Sequence, residues 1–125
     1  MKEAIQPGGV ARPAPPYSPV VVSGDLVYTA GQVGFDESGQ LTADDITGQT
    51  QKVFENLLAC LRAGGCEPAD VIKVNAYLND LGDFAAFNEV YKTTFQEPYP
   101  ARTTVGVSLP GGILVEVEAI ARRPG

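Results

Sequence analysis

The chain has 125 residues, a formal net charge of −6, a sequence pI of about 4.5, and 44% hydrophobic against 19% charged residues. That length fits one domain, residues 1–125, with one core. The acidic balance repels phosphate backbones and argues against nucleic acid, because Arg122-Arg123 is the only adjacent basic pair.

The chain has no histidine, which excludes Ser-His-Asp and Cys-His catalysis and His-containing zinc sites. The two cysteines, Cys60 and Cys66, cannot close a four-ligand metal site, and no metal is expected. The opening residues lack an apolar signal core, and no apolar run is long enough to span a membrane. The expectation is a cytoplasmic protein with reduced, buried thiols.

Residues 1–16 carry Pro7, Pro13, Pro15 and Pro16 and read as an extended arm. Val20–Ser23 and Leu26–Ala30 read as strands about a Gly24-Asp25 turn. A helix is predicted over about Asp44 to Ala63, from the helical spacing of Ile46, Val53, Phe54, Leu57, Leu58 and Leu61. Thr42 or Asp44 is its expected cap, and Gly64-Gly65 its stop.

Residues 71–78 alternate as a strand, with Ile72, Val74, Ala76 and Leu78 on one face and Lys73, Asn75 and Tyr77 on the other. A second helix is predicted from Phe84 to Phe95, capped by Asp83, with Phe84, Phe87, Tyr91 and Phe95 as its stripe. The last strands, "ARTTVGV" and "ILVEVEAIAR", flank a turn at residues 109–112. The order β-β-α-β-α-β-β implies an α+β sandwich with two helices on one face of the sheet. The second face, with Tyr28, Ala30 and Thr104 assigned to it, calls for burial in a homo-oligomer.

Arg102 stands out among small and apolar neighbours, because a guanidinium is costly to bury without a partner. If the last two strands form a hairpin, Thr104 faces Glu116 and Arg102 faces Glu118, all on the face away from the helices. Two readings follow. One is a cross-strand Arg102–Glu118 salt bridge. The other is a small-molecule site, in which Arg102 clamps a carboxylate and a glutamate holds or deprotonates a water.

The segments "YTAGQVG", "DITGQTQKVFENL", "DFAAFNEVYKTTF" and "PYPARTTV…LPGGILVEVEAIA" resemble the Rid (YjgF-like) reactive-intermediate deaminases, from about Tyr17 to Arg122. The resemblance implies a chorismate-mutase-like α+β fold with a mixed sheet, and a homotrimer with sites between subunits. It implies hydrolysis of enamines and imines such as 2-aminoacrylate to 2-keto acids and ammonia, with no cofactor. By the same resemblance Arg102 is the carboxylate-binding arginine and Glu116 the glutamate that positions water. Tyr17, Gly31, Asn88 and Thr104 line the substrate.

The chain departs from the family at Ala30, where a serine is usual, at Thr104, where cysteine is frequent, and at Pro16, where glycine often stands. The alternative is therefore a non-catalytic small-carboxylate-binding or regulatory trimer. A nuclease, proposed for some relatives, fits poorly with the charge and the missing histidine. A chorismate mutase fits poorly too, with only Arg102 evident as a cation.

Overall fold

Alternating apolar and polar residues build a six-stranded sheet in the computed structural model, which describes residues 1–125. The strands are β1 (Lys2–Ile5), β2 (Val20–Ser23), β3 (Leu26–Thr29), β4 (Val71–Leu78), β5 (Ala101–Gly106) and β6 (Val115–Arg122). The helices are α1 (Ile46–Ala63) and α2 (Phe84–Thr94). The spatial order is β1-β2-β3-β6-β4-β5; only β4 and β5 run parallel, so the sheet is mixed. This is the expected α+β architecture, with one strand added. The proline-free start of the arm pairs with β2 and forms the edge of the sheet, Lys2 opposite Ser23 and Ile5 opposite Val20.

Every second residue of the central strands points into one core. Val20, Val22, Val27, Val74, Ala76, Leu78, Val115, Val117, Ala119 and Ala121 are all buried there. The two helices cover this face with the apolar stripe of α1 and an aromatic cluster in which Phe54 meets Phe87, Tyr91 and Phe95 at centroid distances of 5.8–5.9 Å. Such rings dominate core energetics, each pair adding about 0.5–1.5 kcal/mol beyond its buried area. Asp45 caps α1, its side chain accepting from the Gly48 N–H at 3.3 Å, one residue later than expected. Gly64 stops the helix, and Gly65 turns away at φ 88°.

Three expectations are corrected here. The last two strands do not form a hairpin, because β4 lies between them and pairs with both. The physical reason is the β4–α2–β5 crossover: a helix between two strands returns the chain parallel to the first. Ile72 does not face the core. The register slips between Val71 and Lys73, so Val71 takes the buried position and Ile72 is half exposed. Phe84 sits at the exposed start of the α2 stripe, and Asp83 makes no side-chain cap bond.

No helix is long and apolar enough to cross a membrane. Cys60 and Cys66 are both buried and unpaired.

Candidate functional site

Glu116 lies on β6 between the buried Val115 and Val117, so its side chain emerges on the sheet face away from the helices. The neighbouring stretch 29–32 is shaped to receive it. β3 pairs with β6 as far as Tyr28 opposite Ile120, and the next backbone pairing is Gln32 opposite Val117. One strand therefore advances four residues while the other advances three. The Thr29 hydroxyl fills the gap by accepting from the Ala119 N–H at 3.0 Å. Ala30 and Gly31 consequently arch over Glu116. A Cβ built on Gly31 would meet the Glu116 carboxyl, with its Cδ at 2.8 Å and Cγ at 3.0 Å. Glycine is needed here to admit the carboxylate, as no other residue leaves that space.

Glu116 borders a cleft of about 670 Å³ whose walls include Tyr17, Ala30, Gly31, Gln32, Pro110 and Ile113. Two buried amides of α1 brace the loops around it. Asn56 Nδ2 donates to the carbonyls of Val33 and Phe35 at 3.0 and 2.9 Å. Gln49 Nε2 donates to the Ala43 and Gly112 carbonyls at 3.1 and 3.0 Å, and its Oε1 accepts from the Leu114 N–H at 2.9 Å. Burial pushes the Glu116 carboxyl above the usual carboxylate range, and the charge of Glu118 adds to it. A carboxyl so placed keeps its proton to higher pH than a solvated one, and can take up and return a proton at the cleft wall.

Arg102 is elsewhere. β5 pairs parallel to β4 with Arg102 opposite Val74 and Thr104 opposite Ala76, so both point to the helix side of the sheet. There the guanidinium lies among the aromatic rings of α2, 4.7 Å from the Tyr91 centroid, 5.5 Å from Phe84 and 5.6 Å from Phe87. The ring faces carry negative quadrupole charge and hold a cation without neutralising it. Nη1 donates to Asn88 Oδ1 at 2.8 Å. This is the side chain's sole hydrogen bond within the chain, and Arg102 takes part in no salt bridge. The Thr104 and Tyr91 hydroxyls nearby are buried without partners. Arg102, Asn88, Tyr91 and Tyr99 line a second, more open hollow.

The cross-strand Arg102–Glu118 salt bridge is therefore ruled out. Glu118 accepts instead from Asn75 Nδ2 and from the Tyr77 hydroxyl, each at 3.2 Å. Likewise, Arg102 and Thr104 do not share the face of Glu116 and Glu118. Within one chain the candidates fall into two groups on opposite faces of the sheet: Tyr17, Gly31 and Glu116 in the cleft, and Arg102, Asn88 and Thr104 beside α2.

The sequence matches the model of the family described as endoribonuclease L-PSP over residues 9–123. The chain belongs to that family. Among its L-PSP relatives, a RutC family protein of Pyrococcus horikoshii is 46% identical over 123 residues, covering 97% of this chain and 98% of the relative. A 2-iminobutanoate/2-iminopropanoate deaminase of Dermatophagoides farinae is 40% identical over 111 residues, 87% of each chain. The crystal structure of RidA from an Antarctic Psychrobacter superposes with a TM-score of 0.90 at 42% identity, covering 96% of this chain and 98% of that one. The family match begins after β1 and takes in the other five strands and both helices.

Sequence reasoning missed Gln32, Asn56, Gln49 and the aromatic cage of Arg102. The three amides gave no pattern signal, since their role is to satisfy loop backbone. The cage did give one. The stripe Phe84, Phe87, Tyr91 belongs to the helix that crosses over β5, and a βαβ order places that stripe against the following strand.

Proposed function

We propose that this protein hydrolyses 2-imino acids, and the enamines that tautomerise to them, to 2-keto acids and ammonia. The observation that carries the reading is Glu116, a half-buried carboxyl with a raised pKa held against Gly31 at the wall of a cleft. The deaminase names borne by relatives at about 40% identity support it.

The two groups of residues lie on opposite faces, so the complete site is formed between copies. In this reading a homotrimer brings Arg102 and Asn88 of one copy to Tyr17, Gly31 and Glu116 of the next. The exposed apolar groups of the second face, Tyr28 at 43% and Ile72 at 50% exposure, fit burial in such an assembly.

Arg102 grips the substrate carboxylate, its fork held open by Asn88 and the rings. This orients the C=N carbon towards water. Glu116 takes a proton from the water as its oxygen bonds to that carbon, and the C=N π pair moves to nitrogen. Glu116 then passes its proton to nitrogen. The resulting carbinolamine expels ammonia as its hydroxyl becomes the keto oxygen, the hydroxyl proton leaving with nitrogen. No external redox partner is needed.

The test is complementation between two variants that are each inactive. Arg102→Ala and Glu116→Gln are co-refolded in equal amounts, and keto-acid release is followed with 2-aminoacrylate generated in situ. Random mixing in a closed ring restores one native site in each mixed assembly, or about a quarter of wild-type activity. No recovery despite mixed assembly would defeat the shared site. An inert wild type that still binds 2-keto acids would favour the non-catalytic carboxylate-binding trimer.

A further inference from the structure

Glu118 has no place in the chemistry above, yet its surroundings are specific. It lies two residues from Glu116 on the same face of β6. Its two oxygens are held separately, Oε2 by Asn75 Nδ2 and Oε1 by the Tyr77 hydroxyl, each at 3.2 Å. Tyr77 is itself the cross-strand neighbour of Glu116, and Asn75 that of Glu118. β4 thus presents a donor pair that fixes one carboxylate of β6 beside the other.

The groups that face Glu116 are few. Tyr77 comes from β4, Glu118 from β6 and Tyr17 from the arm, while the 30–32 arch contributes backbone and the Gln32 amide, which donates to the Ala30 carbonyl. Lys73, the cation of β4 on this face, is engaged by the Thr103 hydroxyl at 3.0 Å. Arg102 is on the other side of the sheet. Within one copy the charge of Glu118 therefore meets Glu116 with no cation between them; in the proposed assembly the neighbouring copy's Arg102 faces the cleft, and its charge, opposite in effect to that of Glu118, favours the ionised form of Glu116.

We propose that Glu118 is a positioning residue: a fixed carboxylate, clamped by Asn75 and Tyr77, whose charge governs when Glu116 binds and releases its proton. Burial alone would favour the acid form of Glu116, but a solvated neighbour could swing away and let it ionise. The Tyr77–Asn75 clamp removes that freedom. Tyr77 suits this task, since burial and the two glutamates push its own pKa up and keep the phenol a donor.

The inference rests on the deaminase reading for its purpose, but not for its test. Glutamate labelled with ¹³C at the side-chain carboxyl is incorporated into the full chain, and the Glu116 signal is assigned by its loss in Glu116→Gln. Carboxyls about 6.6 Å apart along one strand face interact by roughly half to two pH units, depending on solvent screening. In Glu118→Gln, which keeps the shape and removes the charge, the Glu116 midpoint is expected to fall by that amount. Tyr77→Phe releases Glu118 and is expected to give a smaller fall in the same direction. The acid limb of kcat/KM follows the midpoint to lower pH in both variants.

An unchanged Glu116 midpoint in Glu118→Gln overturns the proposal, as does a kinetic limb that stays in place while the midpoint moves. If wild type shows no turnover, the deaminase reading fails, and the carboxyl titration still decides whether Glu118 governs Glu116.

Discussion

Gly31→Ala separates the placement of Glu116 from the stability of the fold. The new methyl would overlap the Glu116 carboxyl, with Cδ at 2.8 Å and Cγ at 3.0 Å. Those atoms are the end of a flexible side chain, so Glu116 swings aside and the backbone stays. Gly31 lies outside the left-handed region, so alanine fits its conformation. Replacing glycine at a compatible position stabilises by about 0.4–1 kcal/mol through the unfolded chain. Pushing one side chain off its rotamer costs about 0.5–1.5 kcal/mol. The two nearly cancel, and urea denaturation should show a change within about 1 kcal/mol with the same slope. Activity should respond quite differently. A shift of about 1 Å in a proton-transferring group costs on the order of 10²-fold. Keto-acid release in the presence of semicarbazide should therefore fall about a hundredfold while the midpoint of unfolding holds. Retention of activity within threefold would refute the claim that Gly31 places Glu116.

Four further outcomes are expected. Arg102→Lys keeps the charge but loses the planar fork and ring stacking, so KM should rise about tenfold to a hundredfold with kcat less affected; steady-state kinetics over a substrate series decides this. The folded Glu116 pKa is raised, so the native state binds the extra proton and wild-type stability falls as pH rises through that pKa. Glu116→Gln should therefore be more stable than wild type at pH 7.5 and match it at pH 4, by thermal unfolding; an advantage confined to low pH would contradict the burial of that carboxyl. Gln49→Leu strands the Leu114 N–H and the Ala43 and Gly112 carbonyls, and should cost about 2–4 kcal/mol in urea denaturation. Burial pushes the Cys60 thiol up to about 12, so a thiol reagent at pH 8 should modify it only at the rate of global unfolding; rapid modification of the native protein would show that residue to be accessible.

Much of this protein was legible in the chain itself, because local physics decides it. The α1 helix is written in the spacing of Val53, Phe54, Leu57 and Leu61, β4 in the alternation of residues 73–78, and β6 in that of residues 115–122. Two glycines at 64 and 65 mark where α1 must end. Parity alone places Glu116 and Glu118 together, whatever strand lies beside them.

Pairing between strands is a different matter, since hydrogen-bond partners distant in sequence are chosen by the whole sheet. Nearness in sequence suggested a β5–β6 hairpin; the α2 crossover instead carried β5 to the far edge, parallel to β4. That one change moved Arg102 from a carboxylate partner to a ring of aromatic faces beside Asn88. A single-residue slip at Val71–Lys73 likewise turned Ile72 outward, against a pattern that read inward. Residue types determined that an arginine and a glutamate would matter; only the tertiary arrangement decided that a sheet separates them in each chain.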